Sequence, residues 1–451
     1  MCTMIISLHR LGGFRAFGVL AAAVLPLCGA PGLDGAALAK PKTAAHRAPQ
    51  PVHHTPTPFI AIDVPSGRVI EQRDATRTWY PASITKLMTV YVTLQAVRQG
   101  RLAMDTPLVV SARAASMKPS RMGFAPGSQV TLDNALKMLM VKSANDMAVT
   151  IAEGVSGSVE AFADEMNAAA SALGMRESHF VNPNGLPDPT HVSSARDMAV
   201  LGRALLLRFP EHADLFNIGA MKLGDQIIPT HNGMLGRYPG ADGMKTGYTC
   251  PAGFNLVASA TREGRKIIVV VLGDPSARKR TAHAVNLFDR AFAAGQWGDS
   301  AVELPSQAGA PPDMRGEICL HRTPAAQLAA ETEESSGSSP TPEAAAAAQL
   351  SNGEIVAALP RPVYQPVEVF VGPAPGYTGP VAGPRPANTP IGVIAYAPPE
   401  KAAPASPLHA DPAALSLRRK AEKHPAAKHP AAKNEKAVKP AAAPHGKGHE
   451  K

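Results

Sequence analysis

Cysteine is scarce in this sequence: four in 451 residues, at positions 2, 28, 250 and 319. Scattered in that way they exclude a zinc-finger framework. Aromatic residues are few as well, 5% of the chain, while proline (44) and glycine (38) are plentiful. That composition argues against three packed domains, and the apolar, periodic segments lie mostly before residue 300. Long hydrophobic runs are also missing. The run from Ala16 to Cys28 follows Arg10 and Arg15 and is too short to anchor a chain in a bilayer. It reads as an export signal over residues 1–39, with Ala37-Leu38-Ala39 as the small-x-small cleavage site and Cys28-Gly29-Ala30 as the alternative. Pro26 and Leu27 make a poor lipobox before Cys28. Cys2 and Cys28 would leave with the signal, so Cys250 and Cys319 remain in an oxidising compartment. A single disulfide is the expectation there, and two unrelated buried thiols the alternative.

The net charge of +9 is unevenly placed. Residues 401–451 hold eleven Lys or Arg against four Asp or Glu, a surplus of seven, and the repeated Lys-His-Pro-Ala-Ala blocks any helix there. An extended basic tail is expected, preceded by a proline- and alanine-rich region (300–400) with at most one short strand at Val367–Val371. Residues 40–57 read as a linker. Between them lies a domain over 58–299. Phe59–Asp63 and Arg68–Glu71 read as a hairpin, and Ser83–Arg98 as a helix stopped by Gly100. Leu132–Glu153 is helical with a break at 141–146. Ser158–Leu173 and Ser194–Phe209 are amphipathic helices, Phe254–Ala260 and Lys266–Leu272 a second hairpin, and Ala282–Ala294 a closing helix. Strands at both ends with helices between them predict an α/β (α+β) domain. Its terminal strands meet in one mixed sheet around a helical insert.

Three short motifs occur in one order: Ser83-Ile84-Thr85-Lys86, Ser143-Ala144-Asn145 and Lys245-Thr246-Gly247. Ser83 alone reads as a helix cap followed by a solvated lysine, and the same spacing recurs at Ser276-Ala277-Arg278-Lys279. Together the motifs say more. Spacing of three puts Ser83 and Lys86 on one helical face, where a desolvated amine can activate a hydroxyl. Ser143 and Asn145, at a helix break, offer a proton relay and an amide for a substrate carbonyl. Lys245 and Thr246 can clamp a carboxylate, and Gly247 lets a substrate backbone come close. The backbone N–H groups of Ser83 and Tyr248 can form an oxyanion hole. Ser276 has no such company, and its lysine lies between Arg278 and Arg280 in a basic turn.

Pro81 to Thr89, Ser143 to Asp146 and Asp242 to Thr249 resemble the low-molecular-mass penicillin-binding proteins, the serine-type D-alanyl-D-alanine carboxypeptidases. Asn184-Gly185-Leu186, Ser194 to Ala199 and Phe254 to Ala260 are similar to the same family. The resemblance covers roughly 58–295. It implies the penicilloyl-serine transferase fold, an antiparallel sheet flanked by helices with a helical subdomain. It further implies Ser83 as acylated nucleophile, Lys86 as base, Ser143 and Asn145 as proton-transfer and substrate-holding groups, and Lys245 with Thr246 at the terminal carboxylate. The implied reaction removes the last D-alanine of peptidoglycan pentapeptides through an acyl-enzyme, without metal or cofactor, and β-lactams would trap Ser83. His231-Asn232-Gly233 departs from relatives with a more basic residue there; a carboxylate contact and an ordinary loop histidine both fit His231.

Three other readings compete. A serine β-lactamase needs a deacylating carboxylate that Phe180-Val181-Asn182-Pro183-Asn184 does not supply. A DD-endopeptidase would use the same residues on cross-links. A mainly envelope-binding protein would rest on the basic tail. The export signal and the absence of stacking aromatics in that tail speak against nucleic acid; electrostatic association with anionic lipids or wall polymers and a merely solvated tail are the two readings that remain.

Overall fold

The computed structural model describes residues 56–307, 309–320 and 350–385. The expected export signal, nearly all of the 40–57 linker, the stretch from Thr332 to Ala348 and the basic tail lie outside the described residues.

The larger sheet has five strands: β1 (Phe59–Asp63), β2 (Val69–Arg73), β7 (Ala241–Thr249), β8 (Gly253–Arg262) and β9 (Arg265–Asp274), in the order β2-β1-β9-β8-β7. First and last strands meet as expected, with Phe59 opposite Val271. The sheet is antiparallel throughout, however, and not mixed, because every neighbouring pair runs in opposite directions. The second hairpin turns on two residues, Glu263 and Gly264, and not on five. Side chains of β9 alternate between two apolar cores, as a strand covered on both faces must. Ile267, Val269 and Val271 face α7 (Ala277–Ala293), while Ile268, Val270 and Leu272 face the helical side. Ile268 is fully buried. Ile268→Ala is therefore expected to lower the unfolding free energy by about 2–4 kcal/mol. An unchanged urea midpoint would contradict that packing.

On the helical side, α1 (Lys86–Arg98) is the axis, buried without interruption from Lys86 to Leu94. A helix buried on all sides has no polar face to show, which is why its sequence lacks strong amphipathic contrast. Around it pack α3 (Leu132–Val141), α4 (Asn145–Ser156), α5 (Val159–Leu173) and α6 (Ala195–Arg208). A two-stranded ribbon of β3 (Pro107–Val109) and β4 (Gln129–Thr131), with the short α2 (Ala112–Ala115), completes this subdomain. Most helices start on the caps that the sequence offers: the hydroxyls of Thr131, Ser158, Ser194 and Ser276 each accept a backbone N–H three residues on. Ser276, the competing Ser-x-x-Lys serine, is thus a cap on Lys279, and α7 begins five residues earlier than its apolar pattern suggests.

The region beyond 299 corrects the expectation of a short strand at most. Ser300 bridges Arg68, and Met314 and Ile318 are buried in the main core. A helix at Asn352–Ala358 opens on a capping box between Ser351 and Glu354 and packs on α7. The chain then runs as a strap. β10 (Val367–Val369) joins β5 (Ala220–Leu223) and β6 (Gln226–Pro229) as a parallel edge, and Ala382 pairs with Leu108. Proline density rules out regular structure along most of this strap but not packing.

Candidate active site

Ser83 sits in a 3-10 turn, Ala82–Thr85, that leads into α1, so the motif straddles two helix types where one continuous helix was expected. Ala82 takes a left-handed φ of +50°, a strain of about 1–2 kcal/mol that its surroundings must hold. Asn255 on β8 does so: its Nδ2 donates to the carbonyls of Tyr80 (2.9 Å) and Pro81 (3.0 Å), and its Oδ1 accepts from Gly273 N (2.9 Å). Gly247 on β7 lies against the same turn. A Cβ there would stand 2.9 Å from both Ser83 N and Ile84 N.

The Lys86 amine is fully buried and touches three oxygens: Ser83 Oγ at 3.0 Å, Asn145 Oδ1 at 2.8 Å and the Asn184 carbonyl at 2.7 Å. Burial, aided by the positive charge of Lys245, holds its pKa well below the ordinary lysine value, against an opposing pull from Asp146. An uncharged amine has two N–H bonds and one lone pair. Two of its three partners are carbonyls that can only accept, so the lone pair is left for the Ser83 hydroxyl, the one partner able to donate.

Ser143 stands between α3 and α4 with φ +60°, and Asn145 opens α4. The Ser143 hydroxyl is buried, lines the cleft and has no hydrogen-bond partner among the described residues. Asn145 donates from Nδ2 to Lys118 O (2.9 Å) and from its backbone to Ser120 O (2.8 Å), fixing the loop beside it. Asp146 holds that loop further on, accepting from the N–H groups of Met122 (3.0 Å) and Gly123 (2.8 Å). Lys245, Thr246 and Gly247 lie within β7, the edge strand. Thr246, Gly247 and Tyr248 line the cleft. Lys245 lies behind that wall, donating to Thr246 O at 2.9 Å. His231 is on the cleft as well. The cleft measures about 400 Å³ and runs from Asn184–Pro187 past Ser83 to Thr249–Pro251.

Sequence reasoning missed several parts. The Asn184 carbonyl carries no residue-type signal. His191, buried, accepts at Nδ1 from Val181 N (3.1 Å), so its Nε2–H donates to Thr85 Oγ1 (2.8 Å). Burial drives its pKa down to about 3 and keeps the ring neutral, a tie between the 180–191 segment and the motif turn. The disulfide expected from the sequence, by contrast, is present: Cys250 and Cys319 are joined, Cα atoms 5.7 Å apart, at the end of β7.

The sequence profile of the D-alanyl-D-alanine carboxypeptidase family matches residues 43–276, more than half of the chain. The chain belongs to that family. It is 34% identical over 244 residues to the D-alanyl-D-alanine carboxypeptidase DacF of Bacillus subtilis, covering 53% of this chain and 62% of that protein. It is 33% identical over 249 residues to DacA of Haemophilus influenzae, covering 54% and 63%. The chain thus spans less than two thirds of either relative. Crystal structures of penicillin binding protein 5 from H. influenzae superpose with a TM-score of 0.51 at 33% identity, over 53% of this chain and 73% of that one. The family's fold is the antiparallel sheet with flanking helices described above.

Proposed function

We propose that this family member is a serine DD-carboxypeptidase acting on peptidoglycan pentapeptide stems and acylated by β-lactams. The observation that carries the reading is the Lys86 amine shared between Ser83 Oγ and two carbonyl acceptors. Ser83 Oγ attacks the carbonyl of the penultimate D-alanine while its proton passes to Lys86 Nζ. The backbone N–H groups of Ser83 and Tyr248 receive the oxyanion. Collapse breaks the peptide bond, and the departing D-alanine amine takes a proton through the Ser143 hydroxyl. Water then attacks the acyl-enzyme with Lys86 again accepting a proton, which returns Ser83. Thr246 faces the terminal carboxylate, and Lys245 behind it adds positive charge there and at Lys86. Asn145 holds the substrate amide. No step requires a metal or cofactor.

An exported enzyme in the cell envelope fits the leading residues, and the basic tail would associate with anionic envelope polymers by charge. Among the described residues no helix is long and apolar enough to cross a membrane. The test is D-alanine release from a pentapeptide, compared with cleavage of a cross-linked dimer. Release with little dimer cleavage, lost in Ser83→Ala together with fluorescent penicillin labelling, is the expected result. Dimer cleavage as the faster reaction would assign an endopeptidase, and equal labelling of Ser83→Ala would remove the nucleophile assignment.

A further inference from the structure

Resting on that reading, we infer that Arg315 is a specificity residue: it recognises a side-chain carboxylate on the stem-peptide residue immediately before the D-alanyl-D-alanine. Among the described residues, Arg315 is the only one from beyond position 251 to line the cleft, and it arrives there on a segment that is firmly held. Met314 N donates to Pro251 O at 3.1 Å, Met314 and Ile318 are buried, and Cys319 is bonded to Cys250. Three anchors in six residues bring one cation to the end of β7.

The charge of the cleft suits an anion. Among the described residues its lining contains Lys118 and Arg315 and no Asp or Glu. The Arg315 side chain is 55% exposed, and its ion pair with Asp313, at 2.8 Å through one guanidinium nitrogen, leaves further N–H donors of the planar fork facing solvent. Asp313 also accepts from Arg315 N (3.0 Å), so it orients the side chain as well as pairing with it.

Position decides which substrate group meets it. β7 is the last strand of its sheet, so its outer edge can take an extended peptide as a further strand. With the terminal carboxylate at Thr246 and the reacting carbonyl at Ser83 and Tyr248, the peptide's earlier residues run past Thr249 towards Pro251. Pro251 lies in the turn that closes β7 onto β8, where Ala252 N donates to Thr249 O at 3.0 Å, so Arg315 beside it stands just past the end of the strand. The substrate residue that meets it there is the one before the D-alanyl-D-alanine.

The experiment uses the full chain and two synthetic peptides, acetyl-X-D-Ala-D-Ala with X either L-2-aminoadipate, which carries a side-chain carboxylate, or L-norleucine, which does not. Wild type is expected to favour the aminoadipate peptide about ten-fold in kcat/KM, through KM, and less so as salt is raised. Arg315→Gln should erase the difference at an unchanged thermal midpoint, Arg315→Lys should keep part of it, and Asp313→Asn should widen it. Equal release from both peptides by wild type, or a preference that survives in Arg315→Gln, overturns this inference and leaves the carboxypeptidase reading standing. No D-alanine release from either peptide overturns both. Should Arg315→Gln fail to fold, a wild-type preference that ignores salt is enough to reject the charge contact.

Discussion

Lys86→Met is expected to slow acylation of Ser83 by penicillin about a thousand-fold, the scale of losing a positioned general base. Methionine fills the buried space but leaves the Asn145 and Asn184 carbonyls without a donor, so some stability is lost as well. Lys86→Arg keeps a cation and is expected to be as poor, because a guanidinium does not give up its proton. The pH dependence follows from the same burial. The lysine works as a base only when uncharged, so acylation should rise with pH through its lowered pKa and level off well before the ordinary lysine range. Lys245→Met removes the second cause of that depression and should move the rising limb to higher pH. A limb that stays in place would show that Lys245 does not act on Lys86. Folding stability changes in the same direction with pH. Between the lowered pKa and 10.5, the unfolded chain binds more protons at this lysine than the folded chain, so stability at this site rises with pH. Burial of this amine thus costs stability, most of all in acid, where the buried group must carry its proton.

What the sequence makes legible here is chemistry carried by side chains at fixed spacing. Ser83 and Asn145 are brought together around the Lys86 amine, and Ser143, Thr246, Gly247 and Tyr248 line the same cleft. What it hides is chemistry carried by backbone. The carbonyl of Asn184 contacts Lys86 only because the 180–191 segment is tied down by Thr89, which donates to Pro183 O at 2.6 Å, and by the His191–Thr85 bond. No spacing rule announces such a contact. The strap after 350 was hidden differently, since proline density reads as an absence of structure while its packing comes from isolated anchors. Tyr364, for example, donates to Leu235 O at 2.6 Å, and β10 lies beside β5. One signal was available there, the serine and glutamate three apart at Ser351 and Glu354 that make the capping box. The position of Lys245 behind the cleft wall could not be read from the motif either, because strand alternation fixes the side only once the edge strand and its neighbours are known.

The second large effect is expected at a residue with no side chain. Gly185 takes φ +81°, and a Cβ there would lie 1.9 Å from the Ala82 carbonyl oxygen and 3.0 Å from Ser83 N. Those are backbone atoms of the strained turn that carries the nucleophile, so no rotamer change can make room. Gly185→Ala must move either the Ser83 turn or the Asn184 carbonyl, and either movement disturbs the contacts of the Lys86 amine. The left-handed backbone alone costs about 1–2 kcal/mol, and the overlap brings the expected loss of stability to roughly 3 kcal/mol. A displacement near 1 Å at the reacting atoms corresponds to about a hundred-fold in acylation. Gly100→Ala separates the two contributions. Gly100 has a similar φ of +70° at the end of α1 but nothing within 4 Å of the added Cβ. It should lose only the backbone share of stability and acylate at the normal rate. Gly247→Ala, whose Cβ would meet Ser83 N and Ile84 N at 2.9 Å without a positive φ, should slow acylation with a smaller loss of stability. If Gly185→Ala instead behaved like Gly100→Ala in penicillin labelling and thermal unfolding, the close approach of the 184–185 backbone would not be what holds Ser83 and Lys86 in register.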